Sequence, residues 1–440
     1  MTESLAATRA AEIAAGRKQY LVPAYLQYHP DHPLVVDHAK GAYVFDPDGK
    51  RFIDAFAGVV TISVGHCNDE VLEAEIAQMR RVQHVTTLYY HEAPVLAACA
   101  LAGVMPDMEK PQMFFTNSGT EATEFAIHLA KLHTGRSMVL AVRNSFHGRT
   151  LMSASLTVQK PWRNAGPYAV DTHHVAGPYA YREKPRDMTQ EDYETHLLAE
   201  LDRTIQHTCG GKLAALIVEP IQGNGGVLYG SDWFYGELVR IVHAAGGLVI
   251  ADEVQAGFGR TTRWWGSSWW PTPPDMRTMA KGMGNGYPLG GVAATAEVGA
   301  AFSGLAHFST YGANPPAMVG LAKIIEIISR EETRVNIANR GIQLRHGLER
   351  LKERHPLIGD IRGKGLMLGV ELVRDHDSRV PADKETVRIQ DLCRENGVLL
   401  GKGGAGNVLR IKPPYCITKE DADTILSVLG DALTEVERAA

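Results

Sequence analysis

From Gln112 onward, short apolar runs alternate with longer stretches whose apolar residues recur at helical spacing. The runs QMFF (112–115), SMVLAV (137–142), AALIVEP (214–220), GLVIADE (247–253), MRTMAKG (276–282) and GVAATA (291–296) predict strands, being too short and too apolar for surface helices. Between the first two, TEATEFAIHLAKLHTG sets Ala122, Phe125, Ala126, Leu129 and Ala130 on one face, with Gly135 as the stop. A second helix is expected through WFYGELVRIVHAAGG. Strands alternating with helices imply an α/β fold: a mostly parallel central sheet with helices on both faces.

The remainder reads as a second, smaller unit. A long helix is expected from about Pro315 into the 331–354 region, then IRGKGLMLGVEL as a strand. A helix near Lys384–Asn396 and strands in GVLLG and NVLRIKPP follow. The last helix should start at Thr418, where T-K-E-D has capping-box spacing. By composition, 269–275 and 177–190 are surface loops.

At 440 residues the chain has room for about two or three domains. Lys plus Arg is 45 against Asp plus Glu 50, so nothing advertises a nucleic-acid or anionic-membrane partner. The five cysteines are scattered and form no C-x-x-C pair, which argues against a disulfide framework and for a reducing, cytoplasmic setting. No apolar run approaches the roughly 18 residues of a membrane helix. Arg9, Arg17 and Lys18 have the sign of an organelle transit peptide, but Glu3 and Glu12 oppose it, so an amphipathic N-terminal helix is expected.

Parallel sheets bind ligands at the carboxyl ends of their strands. Here those ends carry NSGT, NSFHG, EPIQG, DEVQ and KG. Asp252 closes an apolar run, and Lys281 sits at a strand end among small residues. A lysine there is either desolvated and nucleophilic or simply solvated in a glycine-rich loop. NSGT is either an anion-binding helix start or an ordinary cap, and Phe146 beside His147 is either a stacking ring or loop packing. GKGGAGN (401–407) lacks P-loop spacing, and HPDH (29–32) and His173–His174 lack partners at metal spacing, so these histidines read as solvated surface residues and no metal site is expected. Taken together, an anion site, a stacking ring, a carboxylate and an imine-forming lysine describe a pyridoxal 5'-phosphate site.

At these residues the chain resembles the class III, fold type I aminotransferases, from about Tyr25 to the last helix. FTNSGTEA, ADEVQAGFGR, TMAKGMGNGYPLGG, HFSTYGANP and LRIKPPYCIT carry the resemblance. It implies a large cofactor-binding domain at 61–325 and a small α+β domain formed by 326–440 with the 1–60 segment. Lys281 resembles the Schiff-base lysine and Asp252 the pyridinium partner. Gln255 corresponds to the partner of the phenolic oxygen, Ser118, Gly119 and Thr120 to the phosphate loop, and Phe146 to the stacking ring beside His147. Glu219 and Glu121 match acidic positions lining the site. Thr310 matches a residue that reaches the phosphate of the other subunit, implying a homodimer, or a tetramer made of two dimers. Arg410 matches the arginine for the substrate carboxylate, with Lys412 and Tyr89 nearby as further substrate contacts.

FAGVVTISVGHC (56–67) is most similar to the alanine–glyoxylate and 3-aminoisobutyrate–pyruvate group. The implied reaction is ping-pong transfer of an amino group from alanine or a β-amino acid to pyruvate or glyoxylate. A phospho-lyase acting on a phosphoethanolamine-type substrate is the alternative, and a non-catalytic cofactor-binding protein the remaining one. Ala256, Ala313 and Arg277 depart from the family pattern, and the tryptophans of TRWWGSSWWPTPPD are expected to reshape the entrance.

Overall fold

The computed structural model describes residues 5–439 except 26, 30–31, 160–161, 164–165 and 167. Glu3, and part of the 29–32 stretch, lie outside the described residues. The central sheet has seven strands in the order Gln112–Thr116, Gly290–Ala294, Met276–Ala280, Leu248–Asp252, Ala215–Val218, Val139–Val142, Thr172–Val175. Only Gly290–Ala294 runs antiparallel to its neighbours. Its interior strands are buried along their whole length, as a sheet covered on both faces requires. The helix Gly119–Thr134 starts on the Ser118 side chain, which accepts from Glu121 N at 3.2 Å, and stops at Gly135 with φ +64°.

The expected single helix from Pro315 is two, Pro315–Ser329 and Glu331–Lys352. Arg330 breaks them with an extended backbone (ψ 139°), and its guanidinium pairs with Glu70 and Glu326. IRGKGLMLGVEL is not one strand but a hairpin, Ile358–Lys364 with Met367–Leu372, turning at Gly365 (φ +57°). The capping box at Thr418 forms: its hydroxyl accepts from Asp421 N at 3.0 Å and its own N–H donates to Asp421 at 2.9 Å. The N-terminal strand Arg51–Asp54 pairs in parallel with Val398–Leu399, so the two ends of the chain share one small sheet.

Four surface readings need correction. Tyr179, in the 177–190 stretch, is buried and its hydroxyl donates to Glu371 at 2.8 Å. Trp265 and Trp270 are core residues: Trp265 Nε1 donates to Val104 O at 2.8 Å, and Trp270 stacks on Tyr235 at 4.7 Å. The tryptophans therefore pack the body of the large sheet's surroundings, and the buried Arg277 lies against Trp265 while pairing with Asp107. His29 meets Asp391 at 2.5 Å, and His174, on the edge strand, meets Ser155 O at 2.8 Å. Both histidines are half-buried, and burial lowers their pKa.

Glu75 is buried between helices Asp69–Arg81 and Pro315–Ser329, packed so closely on Gly320 that a Cβ there would lie 2.4 Å from its carboxylate. Burial pushes its carboxyl up to about 7. The folded chain thus holds a proton that the unfolded chain releases near 4.5, and this stability is lost as pH rises from there through about 7. Glu75→Gln should raise stability at pH 8 by about 1–2 kcal/mol, allowing for solvent screening, with little effect at pH 4. Denaturant titrations at the two pH values measure this, and equal effects at both would contradict it.

Candidate active site

The strand Leu248–Asp252 ends on the Asp252 carboxylate, only 4 % exposed. His147 Nδ1 donates to Asp252 Oδ2 at 2.7 Å, and Val254 N donates to Oδ1 at 3.1 Å. Among the described residues the buried His147 Nε2 has no hydrogen-bond partner, so the bond from Nδ1 to Asp252 is what orients the ring. His147 is thus a partner of Asp252 from behind, a role the sequence motif did not reveal.

The neighbouring strand, Met276–Ala280, leads into Lys281, whose φ of +50° turns the chain sharply. That backbone region is costly for a residue with a side chain and clusters at functional sites. Burial lowers the Lys281 pKa, while the Asp252 and Glu219 carboxylates oppose the shift and Arg410 adds to it. The buried Glu219 accepts from Phe146 N at 2.9 Å and Gly223 N at 2.8 Å, holding the Phe146 loop against the end of the strand Ala215–Val218. Burial, and then the Asp252 charge, raise its pKa. Phe146 is partly buried and meets Trp162 edge-on at 5.3 Å.

Gln255, following Asp252 by one turn, is buried and accepts from Lys412 Nζ at 3.0 Å. Lys412 is fully buried; its other acceptor is Gly223 O at 3.5 Å. Arg410, 3 % exposed, donates to Asn224 Oδ1 at 3.1 Å, Gly223 O at 3.3 Å, Lys402 O at 2.5 Å and Tyr28 Oη at 3.3 Å. Its guanidinium lies over Phe56 at 4.8 Å. None of these partners is a carboxylate, so among the described residues Arg410 is a buried cation held by neutral oxygens, and burial lowers its pKa. Tyr28, Phe56 and Asn224 were missed by the sequence reading. Tyr28 lies 382 positions from Arg410, and no local pattern links them.

Ser118, Gly119 and Thr120 form the first turn of the long helix. A Cβ on Gly119 would lie 3.2 Å from Val254 and 3.4 Å from Ala280, so the helix start sits tightly between the Asp252 turn and the Lys281 strand. A Cβ on Gly148 would lie 2.8 Å from Thr120 Oγ1, which brings the Phe146 loop to the same point. Glu121 is exposed and accepts from Asn117 N at 2.7 Å. Tyr89 and Thr310 are both exposed, so a single chain does not enclose them in the site. Ala313, where the family pattern has glycine, adopts φ +59°.

These residues fit pyridoxal phosphate. A buried carboxylate suits a protonated pyridine nitrogen, a desolvated amine suits the aldehyde, and free N–H groups at a helix start suit a phosphate. The class-III aminotransferase family model matches residues 25–433. The chain is 41% identical over 426 residues to alanine–glyoxylate aminotransferase 2 homolog 2, mitochondrial, of Arabidopsis thaliana, covering 96% of this chain and 87% of that protein. It is 32% identical over 460 residues to the human alanine–glyoxylate aminotransferase 2, mitochondrial, covering 100% and 88%. Among solved structures, an (S)-enantioselective omega-transaminase from Thermomicrobium roseum superposes with a TM-score of 0.90 at 32% identity, covering 97% and 98%. Sequence, fold and site chemistry agree: the chain belongs to the class-III aminotransferases, pyridoxal phosphate-dependent transaminases of fold type I.

Proposed function

We propose that the enzyme moves the amino group of alanine or a β-amino acid to a small 2-oxo acid such as glyoxylate or pyruvate, using the residues described above. The observation that carries this reading is Arg410: a buried guanidinium with no carboxylate partner, close enough to Lys281 to depress its pKa. Such a group is matched by a carboxylate on both donor and acceptor. The relatives named for alanine and glyoxylate support the choice. No observation favours phosphate elimination.

Pyridoxal phosphate, when bound, supplies the aldehyde that receives the amino group and a ring that accepts electrons from the substrate carbon. Ser118, Gly119 and Thr120 would hold its phosphate at the helix start. Asp252, backed by His147, would keep the pyridine nitrogen protonated. Phe146 would cover the ring, Gln255 would donate to the phenolic oxygen, and Glu219 fixes the loop carrying Phe146. With the cofactor bound, Lys281 Nζ as free amine would accept the proton from the substrate carbon and, as ammonium, give it back. Its lowered pKa increases the fraction of free amine at neutral pH.

Tyr89 and Thr310 join the site across a homodimer interface in this reading. The segments bearing them adjoin: His84 lies 5.3 Å from Tyr311, and Asn314 Nδ2 donates to Gln83 O at 3.3 Å. Leu88, Tyr90, Phe308 and Tyr311 are exposed there, an apolar surface suited to a second copy. The large domain is assigned to 61–325, and the small domain to 326–440 with 1–60. The free thiols favour a reducing compartment, here the cytoplasm.

A donor and acceptor panel tests the reading. Alanine should bleach the bound chromophore and glyoxylate or pyruvate should restore it; a chromophore that responds only to amines without a carboxylate would contradict it. Arg410→Ala is expected to raise KM for alanine by about 10²-fold, a charge-assisted hydrogen bond being worth roughly twice a neutral one and the guanidinium being able to make two. Amines lacking a carboxylate should be affected far less. Equal losses for both would mean that Arg410 acts elsewhere.

A further inference from the structure

Lys412 is a fully buried cation beside the site. It follows the strand Val408–Ile411, its N–H donates to Ala55 O at 2.7 Å, and its side chain is fully buried. Among the described residues it has no carboxylate partner. Burial drives its pKa well below the usual lysine value, and the charges of Arg410, Lys281 and Arg260 push the same way against Glu219 alone. Burying such an amine is expensive, and an apolar side chain of similar volume would be more stable there. A costly buried group is retained for a task, and its shortest contact indicates which one: Nζ donates to Gln255 Oε1 at 3.0 Å.

An amide has one acceptor end and one donor end. With Oε1 engaged by Lys412, the Gln255 Nε2 hydrogens are the end left for the cavity. Gly223 closes the other side, since a Cβ there would lie 2.3 Å from Gln255 Oε1 and 2.7 Å from Nε2. Without Lys412 the flipped amide, with its oxygen toward the cavity, would lose its main penalty and would repel a phenolate. We propose that Lys412 is a positioning residue: by donating to Gln255 Oε1 it locks the amide with its N–H groups toward the cofactor's phenolic oxygen. Amine and ammonium both donate, so the device does not depend on the protonation state of Lys412. It rests on the proposed role of Gln255 and places Lys412 one step behind it rather than on the substrate carboxylate.

The test compares cofactor release from the holoenzyme and melting of the apoenzyme in five chains: wild type, Lys412→Met, Lys412→Gln, Gln255→Ala and the Lys412→Met/Gln255→Ala double variant. Lys412→Met should release cofactor about tenfold faster, the equivalent of one lost hydrogen bond, while its apoenzyme melts no lower than wild type. In the Gln255→Ala background the same change should have little further effect, because the two residues act as a unit. Lys412→Gln, which keeps a donor, should lose less than Lys412→Met and guards against a methionine variant that fails to fold. Equal effects of Lys412→Met with and without Gln255, or equal losses for the Met and Gln variants, would overturn the proposal. If Gln255→Ala alone leaves release unchanged, the role of Gln255 fails first and this inference falls with it.

Discussion

Lys281→Ala should lower turnover by at least about 10⁴-fold while the protein remains folded. The variant removes both the covalent attachment point and the proton carrier, and positioned proton transfer alone accounts for about 10²–10⁴. Folding should survive because the lost side chain is a desolvated amine whose burial opposes its charge. Alanine meets the same left-handed backbone at φ +50° that lysine already tolerates, so no new strain arises. The measurement is single-turnover chemistry alongside a melting curve. Turnover within tenfold of wild type would show that another amine does the work. The buried Lys412 is the residue such a result would point to.

Asp252→Asn should cost about 10²–10³ in kcat with modest change in cofactor retention. Breaking a buried charge pair costs about 3–5 kcal/mol, and in the proposed mechanism the charge is the one that would keep the ring nitrogen protonated. The substitution is nearly isosteric, so Val254 N keeps its acceptor at the Oδ1 position. His147 does not fare as well. An amide nitrogen facing Nδ1 forces the ring proton onto Nε2, which is buried and has no partner. The loss should therefore appear in kcat more than in KM, because the helix start and Phe146 are untouched. A variant that keeps wild-type kcat would remove Asp252 from the mechanism.

The central sheet was legible in the sequence because its strands are apolar runs bounded by Gly, Asn and Asp, with helices of clear period between them. Thr172–Val175 was missed because THHV is an edge strand carrying two histidines and no apolar run. The break at Arg330 was invisible, since a salt-bridged arginine with an extended backbone has no local signature. The hairpin at Gly365 hid inside IRGKGLMLGVEL, where Arg362 and Lys364 alternate with two glycines of positive φ, Gly363 and Gly365, and apolar residues flank both sides. In the site, Asp252, Lys281 and the helix start at Ser118 could be read because each closes or opens an element. What surrounds them could not. His147 behind Asp252, Tyr28 and Phe56 against Arg410, and Lys412 against Gln255 are contacts made only when distant segments pack together. The tryptophans misled for the same reason: their number suggested an entrance, whereas hydrogen bonding and stacking place Trp265 and Trp270 in the interior.

Borohydride reduction of the holoenzyme followed by peptide mass mapping tests the account most directly. The cofactor should be found fixed to a single peptide, on Lys281. An adduct on Lys412 or on any other lysine, or no adduct from a protein that carries the chromophore, would contradict it.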